Sequence, residues 1–60
     1  MIILDEVRTQ AGLNVVFMTH ASEEEGKQYY YVQVFEGSEL IENVEFATFD
    51  EAETYFKKAV

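Results

Sequence analysis

The chain has no cysteine, no proline and no tryptophan, and among its 60 residues only three glycines, one histidine and four basic side chains. Each scarcity excludes something. Without cysteine there is no disulfide staple and no thiolate for catalysis or for zinc. His20 stands alone, so no ligand set at metal-binding spacing exists, and the reading is that no metal and no cofactor is used. Gly12, Gly26 and Gly37 lie too far apart to form a phosphate-cradling loop. Four bases against twelve acids leave a net charge of −8. Such a surface repels nucleic acid and anionic membranes, so neither is an expected partner. The one compact apolar run at the start, Met1-Ile2-Ile3-Leu4, lacks a basic flank and ends at Asp5-Glu6. It is too short for a membrane span and does not read as a signal peptide. The expectation is a soluble cytoplasmic protein, since a cysteine-free chain suits a reducing compartment.

What is present is a globular composition, 48% apolar and 15% aromatic. Residues 1–60 make one small domain. A chain of this length buries only about 60% of its unfolded surface. Its stability therefore rests on packing alone, and a homodimer is an expected supplement.

The elements read as follows. Residues 13–20, Leu-Asn-Val-Val-Phe-Met-Thr-His, are rich in β formers and predict a strand. Residues 21–26 hold Glu23-Glu24-Glu25 and Gly26 and predict a hairpin loop. Residues 28–35 contain Tyr29-Tyr30-Tyr31-Val32-Gln33-Val34-Phe35 and predict a second strand. A turn over 36–39 leads to a third strand over 40–47. Short connections favour antiparallel neighbours. Thr48 and Glu51 stand at capping-box spacing and open a helix. Asp50, Glu51 and Glu53 complement its positive end, and Lys57 and Lys58 its negative end. Phe49, Ala52, Phe56 and Ala59 recur at helical spacing, with Tyr55 beside them. Two readings stand for residues 1–12: a helix aligning Ile3, Val7 and Ala11, or a strand through Ile2–Val7. The fold class is α+β, a three-stranded antiparallel meander with a C-terminal helix on one face.

The tyrosine run carries most of the functional information. As a strand it is apolar on both faces, because successive side chains alternate. One helix covers one face. Either Tyr30, Val32 and Val34 or Tyr29, Tyr31 and Phe35 lie beneath it, and the valine pair fits more closely under a helix. Tyr29, Tyr31 and Phe35 then form an open aromatic face, opposite Val15/Phe17 or Val16/Met18. Tyrosine is a common binding hot spot, although aromatics also simply fill strands. Glu36, Glu39, Glu42 and Glu45 rim this region. Carboxylates two apart on a strand are roughly 6.6 Å apart, comparable to successive phosphates. A row of them can imitate a nucleic-acid backbone. No general acid–base pair, triad or motif names a reaction, so the chain reads as a non-enzyme.

The acidic loop, the stretch Gly26-Lys27-Gln28-Tyr29-Tyr30, the third strand and the acid-started helix together resemble the small phage inhibitors of uracil-DNA glycosylase. That resemblance implies an acidic dimer that mimics DNA and blocks the enzyme's DNA-binding groove. The family carries a glutamate just after the paired tyrosines, where this chain has Tyr31. Its inhibitory aromatic falls near Phe46. The strands followed by Thr48-Phe49-Asp50-Glu51-Ala52 also resemble antitoxin domains of the HicB-like type, of which these residues would be the partner-binding half. The leading expectation is a stoichiometric inhibitor acting as a DNA mimic on a DNA-processing enzyme with a basic surface. Tyr29, Tyr31, Phe35, Phe46 and the four rim glutamates are the expected partner-binding residues. The alternative is a non-inhibitory interaction protein or antitoxin-like adaptor.

Overall fold

The N-terminal segment is a strand, and the sheet accordingly has four strands rather than three. A computed structural model describes residues 1–60 as β1 (Ile2–Arg8), β2 (Leu13–Ser22), β3 (Lys27–Glu36), β4 (Glu39–Phe46) and α1 (Phe49–Ala59). The strands lie in sequence order, each antiparallel to the next. The helical stripe Ile3, Val7, Ala11 fails for a local and a tertiary reason. Ala11 belongs to a tight turn, in which Gly12 donates its N–H to the Thr9 carbonyl at 3.0 Å. Gly12 adopts φ 84, the left-handed geometry that closes a short hairpin. The tertiary reason is β2, whose outer edge would otherwise stand unpaired. Pairing it with the β-branched residues Ile2, Ile3 and Val7 satisfies that edge.

The other connections are as tight. Gly37-Ser38 alone joins β3 to β4, because Glu36 pairs with Glu39. Gly37 has φ 62 and no non-glycine residue has positive φ, which is the pattern of a type II′ turn with glycine first. The helix begins as its capping box predicts. Thr48 is extended, and its hydroxyl accepts from the Glu51 N–H at 3.3 Å.

Register settles which side of the tyrosine run is core. Val15 pairs with Val34, Phe17 with Val32 and Thr19 with Tyr30. This set faces α1, as the valine argument anticipates. Val15, Phe17, Val32, Val34, Ala52 and Phe56 form the buried cluster, and Tyr30, Phe46, Tyr55 and Ala59 pack against it. The Phe17 ring lies 5.5 Å from that of Phe56 and 5.4 Å from that of Phe49. The helix packs over β2, β3 and β4 and makes no comparable contact with β1. Only nine of the 60 residues are buried, so the loss of one core side chain is a large fraction of the whole.

Candidate functional site

The second face of the sheet carries Val16 and Met18 from β2 with Tyr29, Tyr31, Gln33 and Phe35 from β3. Direct cross-strand pairing orders it into rows. Ile3, Met18, Tyr31 and Glu45 form one row, Glu6, Val16, Gln33 and Asn43 the next, and Arg8, Asn14, Phe35 and Leu40 a third. No helix or loop packs over this face, yet Val16 is only 4% exposed and Met18 only 7%. Their cover comes from the side chains of the flanking strands β1 and β3 on the same face. Tyr31 and Phe35 are half-buried in the same way. The middle row is polar apart from the buried Val16, with the Gln33 side-chain amide donating to Asn43 Oδ1 at 3.2 Å. The face is therefore a mixed surface, two small apolar patches divided by an amide stripe.

The expected partner-binding residues divide between the two faces. Tyr29, Tyr31, Phe35 and Glu45 lie on the second face. Phe46 pairs with Tyr30 and turns to the helix side, where its ring lies 5.3 Å from that of Tyr55. Glu42 pairs with Val34 and accepts a hydrogen bond from the Tyr55 hydroxyl, also on the helix side. Glu36 and Glu39 face each other across the turn on that same side. Strand geometry explains the division. A spacing of three residues inverts the face, so Glu42 and Glu45 point opposite ways. Ile41 is an extra residue in a bulge, which returns Glu39 to the side of Glu42. The four glutamates thus form no single row.

Two tyrosine–carboxylate pairs were not legible as sites. The Tyr29 hydroxyl donates to Glu25 Oε2 at 2.5 Å, bridging the β2–β3 loop. That hydrogen bond raises the Tyr29 pKa, and desolvation and the nearby charges of Glu25 and Glu45 push the same way. Tyr55 is raised for the same reason by its bond to Glu42. Spacing offers a signal only for the first pair, since Glu25 and Tyr29 are four apart across a turn. Two open depressions, of about 410 and 370 Å³, lie on either side of Tyr55, with Phe46 and Thr54 on one side and Leu13 and Val34 on the other. Both are on the helix side, away from Tyr29 and Tyr31.

The charge is largely uncompensated within the chain. The single ion pair joins Lys57 to Glu53 at 3.6 Å, both exposed and one helical turn apart. The remaining carboxylates are distributed over β1, the loop Glu23–Glu25, the end of β3 at Glu36, both faces of β4 and the first turn of α1. His20 is exposed and pairs with Tyr29. No group of three or more His, Cys, Asp or Glu side chains is placed to hold a metal ion. No helix is long and apolar enough to cross a membrane. Comparison with protein-family models, with curated proteins and with solved structures finds no match.

Proposed function

We propose that the chain is a non-catalytic binding module for a protein with a basic surface, and that it acts by occupying that surface. The finer form of the reading is stoichiometric inhibition of a DNA-processing enzyme by DNA mimicry. The observation that carries it is the charge. Twelve acids face four bases, and a single ion pair offsets them. Complementary potential of this kind steers a basic partner and rejects acidic ones. The carboxylates lie on both faces of β4 and on the loops, so a basic groove closing around the chain meets them on each wall. This arrangement suits a groove better than a flat surface, and a DNA-binding channel is such a groove.

Titration of the chain into complexes of labelled DNA with a panel of DNA-processing enzymes, uracil-DNA glycosylase among them, tests this reading. Release of DNA at stoichiometric amounts, weakening as salt rises, is the expected result. DNA retained by every member at a molar excess of the chain overturns the inhibitor reading. The apolar patches favour a second reading, an adaptor that docks through Tyr31, Phe35 and Leu40. In that case binding tolerates salt and falls on Tyr31→Ala or Phe35→Ala.

A further inference from the structure

The two edges of the sheet are built differently. An edge strand presents a row of unpaired backbone groups, and natural proteins guard it with charge, proline or bulges. At one edge, β4 carries Glu39, Glu42 and Glu45 within eight residues. At the other, Met1 and the first three residues of β1, Ile2, Ile3 and Leu4, are each between 42% and 76% exposed, and the charged residues Asp5, Glu6 and Arg8 come only in the later part of the strand. Both edges contain one bulge, at Ile41 and at Leu4, so the bulges do not distinguish them. The helix packs on β2, β3 and β4 and leaves β1 uncovered. β4 also exposes Leu40 and Ile41, but as a pair set between Glu39 and Glu42, whereas residues 1–4 are an unbroken apolar run at the edge that the helix leaves uncovered.

The surroundings of this edge are acidic at both ends. Asp5 and Glu6 follow directly in β1. At the other end, Ile2 pairs with Thr19, and β2 continues past it for three residues to Ser22. At about 3.4 Å per residue, the Glu23-Glu24-Glu25 loop begins ~14 Å beyond Ile2. An added strand therefore meets an apolar stretch flanked by carboxylates on either side. We infer that the β1 edge is a strand-addition site for an extended segment of a partner protein, apolar at its centre and carrying Lys or Arg at both ends. Main-chain hydrogen bonds hold such a segment, and its side chains set the register. A second copy of this chain fits poorly. Pairing β1 with itself brings together two chains of net charge −8, and a register centred on Asp5 and Glu6 sets those acids against each other. The inference rests on the binding-module reading above and names the partner's chemistry.

The test uses the full chain and three synthetic peptides. One alternates valine and threonine between lysine pairs, one replaces the lysines with glutamates, and one is the lysine peptide N-methylated at alternate residues. Amide exchange read by NMR locates the contact. The expected result is protection of amides within Ile2–Arg8 by the lysine peptide, with binding about tenfold or more weaker for the glutamate peptide. N-methylation abolishes binding, because the added strand can no longer donate. Ile2→Lys and Ile3→Lys, which alter exposed side chains, weaken the lysine peptide by a similar factor. The N-methylated peptide tests the same point on the unaltered chain should either variant fold poorly. Protection at β4, or at Tyr31 and Phe35, overturns the edge while leaving a binding module. Equal binding of the lysine and glutamate peptides overturns the partner's chemistry. Concentration-dependent protection of β1 without peptide overturns it in favour of a second copy. Failure of the lysine peptide to bind at low salt, with DNA displacement intact, sinks the edge alone, and failure of both assays sinks both readings.

Discussion

Removing the ring of Phe56 tests the account of how the two layers hold together. Phe56 is one of two buried residues on α1, the other being Ala52. Its ring sits 5.5 Å from that of Phe17 at the centre of the buried cluster. A buried Phe→Ala change costs about 3–5 kcal/mol, because transfer free energy is lost and a cavity remains. At about 0.05–0.15 kcal/mol per residue, a domain of this size has roughly 3–9 kcal/mol in total. Phe56→Ala therefore removes a large share of the stability and in the lower part of that range unfolds the chain. Phe49 is the internal comparison. It also stacks on Phe17, and on Tyr30 edge-on at 5.8 Å, but it is 41% exposed. Phe49→Ala leaves an open notch that water fills and costs about 1–2 kcal/mol, in keeping with its partial burial. Urea denaturation followed by circular dichroism measures both variants. The expected order is Phe56→Ala well below Phe49→Ala, and both below the parent. A Phe56→Ala midpoint equal to that of Phe49→Ala would refute the claim that the layers are joined through one central cluster.

The remaining predictions concern the turns, the cap and the tyrosines. Gly37→Ala forces an L side chain to φ 62 in a two-residue turn and costs about 1–2 kcal/mol in thermal denaturation. No atom lies within 4 Å of the added Cβ, so D-alanine at that position, made by chemical synthesis, restores the midpoint. Thr48→Ala removes the acceptor for the Glu51 N–H and costs about 1 kcal/mol, most of it recovered in Thr48→Ser. Tyr29 and Tyr55 have folded pKa values above the ordinary 10.0, chiefly from their hydrogen bonds to Glu25 and Glu42. A raised pKa means that this contribution to stability is fully present below pH 10 and is lost as pH rises through the folded value. Ultraviolet titration should show a tyrosine component ionising above pH 10 that is diminished in Tyr29→Phe and in Tyr55→Phe; an unchanged profile in both variants contradicts the pairing.

The helix was legible because every signal for it is local. The cap at Thr48, the acids of the first turn, the lysines of the last and the stripe through Ala52 and Phe56 lie within one short segment and agree with one another. The three strands from Leu13 onward were legible for a similar reason, β-forming runs separated by turns with glycine at Gly26 and Gly37. Residues 1–12 resisted because three apolar residues at helical spacing fit a helix slightly better in isolation than the run Ile2–Val7 fits a strand. Only the free edge of β2 decides between them. The division of the candidate site escaped for another reason. Alternation predicts which residues share a face only while the ladder is regular, and the bulge at Ile41 shifts the parity of Glu39 relative to Glu42 and Glu45.

The sequence by itself determined the class of the domain, its helix, the three hairpin strands that follow Gly12, and the acidic character of the surface. These follow from short-range periodicity, turn chemistry and a sum of charges, none of which depends on distant contacts. Tertiary structure alone decided that the N-terminal run joins the sheet, which face of the tyrosine run lies under the helix, and how far the second face is left open. The last point alters what the tyrosines mean. Val16 and Met18 are buried with no element above them, so flanking side chains complete a cover that counting layers does not foresee. The edge of β1 is the one the helix leaves uncovered, and there hydrogen-bonding capacity lies beside the unbroken apolar run of residues 1–4.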